Sequence, residues 1–408
     1  MAVIPTPLSI VFHNEKITYL DTIPQEILEL IVVLLNSDDL DNLNKSINLN
    51  LNYPRMCNYR FDLKLCKEIT NYDKYLRLVS IERLKDMLCL KYSIEELLDI
   101  KKLDLPFDGL LSIPKGIRNL QLLQTSYLSS NKLTSIPKEI RDLQTLQELN
   151  LSSNKLTSIP KEIGDLQSLQ ELFLDNNQLT SIPKEIGDLH SLQILEVYDN
   201  QLTSIPKEIG DLQLLHIFNL SSNKLTSIPK EIGDLQSLQI LFLLDNQLTS
   251  IPKEIGNLHS LKILRVSGNK LTSIPKEIGN LKLLQKLYLD DNKLKSIPKE
   301  IRDLQTLQEL NLSSNKLTSI PKEIGDLQSL QELFLDNNQL TSIPKEIGDL
   351  HSLQTLGVSG NQLTSIPKEI GNLQSLQILY LNNNQLTNLP EEVKRIIPSL
   401  NRLLLDVT

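Results

Sequence analysis

The chain of 408 residues carries 42 Lys and Arg against 50 Asp and Glu, a formal net charge of −8, which argues against a nucleic-acid partner. Hydrophobic residues make up 40% of it but aromatics only 4%, with no Trp, a composition that suits a stacked aliphatic core better than a compact enzyme. Cys57, Cys66 and Cys89 are an odd set, all in the first quarter of the chain, and a reducing compartment, cytoplasm or nucleus, fits them best.

Residues 1–20 show little pattern beyond one extended stretch and read as a leader. Met1 to Ile10 contains Pro5 and Pro7 and no basic residue, so it lacks the charged start and apolar run of a signal peptide. Ile27 to Leu35 is apolar but includes Glu29 and is too short to span a bilayer. Neither secretion nor a membrane segment is expected. The run Ile23-Pro24-Gln25-Glu26 opens a helical spacing of Ile27, Leu28, Ile31, Leu34 and Leu35, followed by Asp38-Asp39-Leu40 and Leu43.

Over residues 21–54 this pattern resembles an F-box. Ile23, Pro24, Glu26, Ile27, Ile31, Leu35, Asp39, Leu40 and Leu43 match that family's start, amphipathic helix and Asp-Leu step. The match weakens after Ser46, where the family has a basic and aromatic segment and this chain gives Asn48-Leu49-Asn50-Leu51-Asn52-Tyr53-Pro54. The resemblance implies that Ile23, Pro24, Ile27, Ile31, Leu35 and Leu40 contact the small adaptor subunit of a cullin-type ubiquitin ligase. The same start also resembles an Ile-Pro-Lys-Glu-Ile unit that recurs later in the chain, so a degenerate coil or helical cap is the alternative.

Residues 55–99 are mixed and read as a helical linker or cap. Helices are expected near Ile81 to Leu90 and Ser93 to Ile100, the second opened by a capping box, Ser93-Ile94-Glu95-Glu96. Ile100, Leu103 and Leu105 then begin the first coil of a regular array over residues 100–408.

The array is defined by asparagines at 131, 154, 177, 200, 223, 246, 269, 292, 315, 338, 361 and 384, with every step equal to 23. Around Asn154 the apolar set is Leu146, Leu149, Leu151, Leu156, Ile159, Ile163 and Leu166. Leu149-Asn150-Leu151 alternates as a strand with one buried face requires, and Ile159-Pro160 breaks the extended run before an irregular or short helical return. Seven aliphatic side chains at about 2 kcal/mol each fall short of ordering 23 residues at roughly 1–2 kcal/mol apiece. A coil is therefore stable only when stacked. The pattern resembles the 23-residue, Ras-group type of leucine-rich repeat, which implies an α/β solenoid: a horseshoe with a parallel concave sheet, here preceded by a small helical domain. That family consists of intracellular scaffolds and adaptors.

Each ladder asparagine is expected where the strand turns away, its amide both donating to and accepting from loop backbone. Asp108 holds that position in the first coil and can only accept. At the far end Pro390 to Leu400 is one residue longer than its equivalents, and Leu403 and Leu405 supply a last strand with Asp406 beside it. Ser135 to Gln193 is identical to Ser296 to Gln354, an offset of 161 or seven repeats, which marks a block duplication.

Side chains flanking the strand leucines line the concave face. A partner site is expected over Tyr127, Phe173, Tyr198, Phe242, Leu244, Arg265, Tyr288, Phe334 and Tyr380, with Ile194 and Ile240 widening its apolar part. Glu171, Asp175, Asp199, Asp245, Asp290 and Asp291 make the surroundings acidic, so the expected partner is a protein or peptide with basic groups and apolar anchors. Strand propensity alone also favours aromatics at these positions. His190, His259 and His351 replace glutamine in different coils, His216 stands alone, and Lys-Glu pairs such as Lys161-Glu162 read as a solvated convex surface. No metal spacing, phosphate loop or activated nucleophile is evident, so neither cofactor nor enzymatic activity is expected. Two functions follow. One is a substrate-recruiting ligase adaptor; the other is a scaffold in a phosphatase or GTPase pathway with no ubiquitin role.

Overall fold

The computed structural model describes residues 81–82, 84–85, 88, 90, 92–107 and 109–406. The F-box-like residues Ile23, Pro24, Ile27, Ile31, Leu35 and Leu40 lie outside them, as does Asp108. The chain divides into two compact units, Met1–Ile94 and Glu95–Thr408. In the first, residues 81, 82, 84 and 85 are helical, and Ile81 and Leu84 are fully buried. A short helix, α1 (Ile94–Leu98), begins directly after Ser93.

The second unit is a solenoid built on one open, parallel sheet of 14 strands in chain order. Its strands are β1 (Lys102–Asp104), β2 (Thr125–Tyr127), β3 (Glu148–Asn150), β4 (Glu171–Phe173), β5 (Ile194–Glu196), β6 (Ile217–Asn219) and β7 (Ile240–Phe242). They continue as β8 (Ile263–Arg265), β9 (Lys286–Tyr288), β10 (Glu309–Asn311), β11 (Glu332–Phe334), β12 (Thr355–Gly357), β13 (Ile378–Tyr380) and β14 (Arg402–Leu404). Each residue pairs with the one 23 positions on, as Leu149 with Leu172, until Ile378 pairs with Arg402, 24 on. The extra residue is absorbed around helix α2 (Glu391–Ile396), and Asp406 accepts the Asn383 N–H at 3.1 Å beside the terminal strand.

One coil shows why this sequence makes this path. Leu149 and Leu151 point inward and are fully buried, while Glu148 and Asn150 are half-buried on the open face. Pro160, at φ −70° and ψ 150°, ends the extended run and opens a 3-10 turn over Lys161–Asp165, whose Ile163 N–H reaches the Pro160 carbonyl at 3.1 Å. Ile163, Leu166 and Leu169 close the core from that side at 0% exposure. Coils approach so closely there that a Cβ on Gly164 would strike the carbonyl oxygen of Glu185.

Asparagine joins each coil to the one before it. Asn154 Oδ1 accepts the Leu133 N–H at 3.0 Å, and its Nδ2 donates to the carbonyls of Leu128, Leu151 and Ser152 at 2.9, 3.0 and 3.2 Å. The same bonds recur around Asn269, from Leu248 N–H and to Leu243, Val266 and Ser267. The residue before the ladder asparagine has positive φ in coil after coil, including Ser153 (55°), Asn176 (53°) and Asp199 (49°), with glycine at 268 and 360. That left-handed step turns the chain off the sheet.

Candidate functional site

The open, concave face carries three rows of side chains: the first strand residue, the residue between the strand leucines, and the residue two before the ladder asparagine. Because the strands are in register, members of one row are neighbours about 4.8 Å apart.

In the first row Ile194, Ile217, Ile240 and Ile263 follow one another on β5 to β8, each half-buried and each paired with the next. Glu148 and Glu171 precede them and Lys286 and Glu309 follow. Sequence reading found Ile194 and Ile240 but missed Ile217 and Ile263, which are visible only when the coils are written one above the other.

The middle row brings the expected aromatics to this face and shows that several are engaged with charges. Arg265 stands between Phe242 and Tyr288, its guanidinium carbon 5.8 Å from one ring centre and 4.2 Å from the other. The Tyr288 hydroxyl donates to Glu309 at 2.7 Å, and Lys286 meets the same carboxylate at 3.0 Å. Tyr127 repeats the arrangement, donating to Glu148 at 2.8 Å under Lys102, whose ammonium is 4.8 Å from the ring centre. Arg402 covers Tyr380 at 5.3 Å. Phe173 and Phe334 are half-buried on the same face. Tyr127, Phe242, Tyr288 and Tyr380 each meet a cation from a neighbouring strand.

The acidic surroundings divide in two. Asp199, Asp245 and Asp291 are exposed on the left-handed turns. Asp175 is only 6% exposed and accepts from Ser152 Oγ at 2.5 Å and Asn176 Nδ2 at 3.0 Å; Asp290, half-buried, accepts from Ser267 Oγ at 2.7 Å. These two carboxylates hold neighbouring coils together as well as carrying charge. Burial, reinforced by the charge of Asp175 and a hydrogen bond to it, pushes the Tyr198 hydroxyl up to about 12. Leu244 lies half-buried two coils further along the same row.

Glu196 lies in the middle row between Phe173 and Asn219. Its Oε2 is shielded from solvent with no hydrogen-bond partner. Burial raises its pKa first, a hydrogen bond from Asn219 opposes that, and the charge of Asp175 adds to it. Burial and then the charge of Glu148 raise Glu171 in the same direction. Ser221, on the third row, is 6% exposed and its Oγ also lacks a partner.

His190, His259 and His351 are exposed on the return side, where Gln167 at the equivalent position bonds backbone carbonyls. Among the described residues no group of three His, Cys, Asp or Glu is placed to hold a metal ion, and no helix is long and apolar enough to cross a membrane.

Family profiles described as leucine-rich repeat region match residues 207–290 and 253–356; leucine rich repeat matches 144–202, and leucine rich repeats (2 copies) match 351–395. No curated protein sequence matches the chain. Among solved structures it is similar to the Leptospira interrogans leucine-rich-repeat protein LIC12759, at 42% identity and TM-score 0.59 over 75% of this chain and 91% of that one. It is also similar to the ectodomain of the Arabidopsis thaliana receptor kinase GASSHO1/SCHENGEN3, at 34% identity and TM-score 0.58 over 70% of this chain and 38% of that one. The plant peptide hormone receptor RGFR1 matches at 31% identity and TM-score 0.55 over 72% of this chain and 60% of that one. The chain therefore spans less than two thirds of either plant receptor chain. With unbroken coils of 23 residues, a continuous asparagine ladder and these likenesses, the chain belongs to the leucine-rich-repeat family.

Proposed function

We propose that the chain is a protein-interaction scaffold that holds a protein or peptide partner on the concave face of its sheet, without enzymatic activity of its own. The observation that carries this reading is the run of four half-buried isoleucines on adjacent strands, beside Phe242, Leu244 and Tyr198. Apolar area gathered on one exposed surface favours association. The plant receptors support a protein or peptide partner, since GASSHO1/SCHENGEN3 was solved in complex with Casparian strip integrity factor 2 and RGFR1 with RGF2. A photo-crosslinking residue at position 242, compared with one at the exposed convex Lys253, tests it in extracts of the source cells. Adducts from position 242 alone are expected; equal adducts from both positions, or none from 242, defeat the reading.

A second reading is carried by the F-box resemblance of Ile23, Pro24, Ile27, Ile31, Leu35 and Leu40. It makes the scaffold a substrate-recruiting subunit of a cullin-type ubiquitin ligase in the cytoplasm or nucleus, bound through the ligase's small adaptor subunit. The placement of Cys57, Cys66 and Cys89, all ahead of the first coil, agrees with a reducing compartment. If the same segment caps the solenoid, the protein is a scaffold of phosphatase or GTPase signalling with no ubiquitin role.

A further inference from the structure

The concave face is polar in a specific order along the solenoid. Carboxylates come first, with Glu148 on β3, Glu171 on β4 and Glu196 on β5. The isoleucines of β5 to β8 follow, spanning three strand steps or roughly 14 Å. Cations come next. Lys286 is paired with Glu309, while Arg265 lies between two rings and, among the described residues, forms no ion pair.

Glu196 marks the boundary between the acidic and apolar parts. One of its oxygens is buried and receives no hydrogen bond; Phe173 pairs with it across the strands, and the charge of Asp175 acts on it. A buried acceptor without a donor is costly, and a carboxylate so placed gains more from an incoming cation than an exposed one does. Ser221 Oγ, in the adjoining coil, is likewise buried without a partner.

The duplicated block supplies an internal comparison. Glu332, Phe334 and Asp336 repeat Glu171, Phe173 and Asp175 at an offset of 161, but the copies diverge at the next strand. Where the first continues with Ile194, Glu196 and Tyr198, the second continues with Thr355, Gly357 and Ser359. There the Ser359 N–H donates to Asp336 Oδ1 at 2.8 Å, and the space a Cβ on Gly357 would need is taken by Asp336 Oδ2. Identical strands are thus followed in one place by an unpaired carboxylate and isoleucines, and in the other by a satisfied, small-residue surface.

Resting on the concave-face reading above, we propose that this face takes an extended protein segment with a lysine or arginine next to alternating apolar side chains. The cation meets Glu196 beside Glu171, and the apolar side chains lie across Ile194, Ile217, Ile240 and Ile263. Three side chains on one face of an extended segment span about 14 Å, which matches the isoleucine run. The exposed Asp199 adds a long-range attraction on the same side.

The probe is a capped peptide, Lys-Lys-Ser-Leu-Ser-Leu-Ser-Leu-Ser-Ser, titrated against the full chain by calorimetry at low and high salt. Two control peptides replace both lysines by glutamate or all leucines by serine. Saturable binding of the first peptide is expected, weakened at least about tenfold by either replacement. Glu196→Gln, which keeps the shape of the side chain, should weaken it by a similar factor and reduce its salt dependence, and Ile217→Thr should weaken it several-fold. Glu332→Gln, on the duplicate surface, should leave it unchanged. The proposal is overturned by equal binding of the charge-reversed peptide, by unaltered affinity of Glu196→Gln, or by equal effects of Glu196→Gln and Glu332→Gln. It is also overturned if the lysine peptide does not bind a protein whose position 242 still crosslinks a partner; that result leaves the concave-face reading standing, whereas loss of the crosslink is what removes the broader reading.

Discussion

Arg265 lies over the ring of Tyr288 with 4.2 Å between guanidinium carbon and ring centre, on strands that pair residue for residue. On the other side Phe242 stands at 5.8 Å. A planar cation between two rings couples three successive coils by their open-face side chains, in addition to the core beneath. Arg265→Lys keeps the charge but loses the flat stacking surface. We expect it to cost about 0.5–1 kcal/mol in urea unfolding, and Arg265→Ala at least as much. Removing the cation should also push the pKa of the Tyr288 hydroxyl further up, since Arg265 is one of the groups that lower it. A tyrosinate absorbance titration unchanged in Arg265→Ala would show that the contact carries no electrostatic weight.

The asparagine ladder predicts a graded effect. Asn269→Ala removes the acceptor of Leu248 N–H and the donor to Leu243 oxygen, both buried, so a loss of about 1–3 kcal/mol is expected. Asn384 makes the same types of bond to Leu363 and Val358 but is only half-buried, where water can replace part of what is lost. Asn384→Ala should therefore shift the urea midpoint less than Asn269→Ala. Equal shifts would mean that the ladder acts through something other than buried backbone groups.

Much of this was legible from spacing because each coil buries its aliphatics locally. Leu149, Leu151, Ile163 and Leu166 point where period and proline placement put them. The left-handed residue before the asparagine was not read, because serine at 130, 153, 222 and 314 does not announce it; Gly268, Gly360 and the asparagines and aspartates of the same column, such as Asn176, Asp199, Asp245 and Asn337, do. The candidate site was half legible. Its aromatics follow from the position between strand leucines, but the isoleucine run and the stacking of Arg265 depend on which coils adjoin. The shielded oxygen of Glu196 depends on side-chain packing above the sheet, and no local motif encodes it.

Burial makes Glu196 informative through pH. Its folded-state pKa is raised, chiefly by desolvation, so the folded protein holds this proton more firmly than the unfolded chain does. The sign follows: the group's contribution is most favourable below the unfolded carboxyl value, about 4.3, and is lost as pH rises through the folded value. Glu196→Gln should consequently stabilise the protein at neutral pH, with the advantage vanishing on acidification below the unfolded value. Parallel urea melts of wild type and variant across that range check this. A variant less stable than wild type at neutral pH would contradict it.

For the N-terminal segment, the F-box resemblance predicts that Ile27→Asp abolishes association with the ligase's small adaptor subunit while the melting of the repeats stays the same. As a cap, Ile27 would be buried against the array and the same charge would lower its melting temperature. A pull-down paired with a thermal melt separates the two: no ligase bound by the wild type, together with a destabilised solenoid in the variant, would remove the ubiquitin reading and leave the scaffold.

Phe242 tests whether the middle of the concave face is used. Its ring is half-buried between Asn219 on one side and Arg265 on the other, over a strand whose Leu241 and Leu243 are fully buried. Truncation to alanine therefore loses the longer of the two contacts to Arg265 and some covering of the sheet, but opens no core cavity. A stability cost below about 1 kcal/mol is expected. Partner affinity should fall by about 2 kcal/mol or more if the ring is an anchor. Phe334 is the comparison, since it is half-buried in the same row but followed by Gly357 where Phe173 is followed by Glu196. Phe334→Ala should leave the partner's affinity intact. If affinity survives combined alanine substitution at Phe173, Phe242 and Tyr288, then strand propensity alone accounts for the aromatics, and the binding surface lies elsewhere on the solenoid.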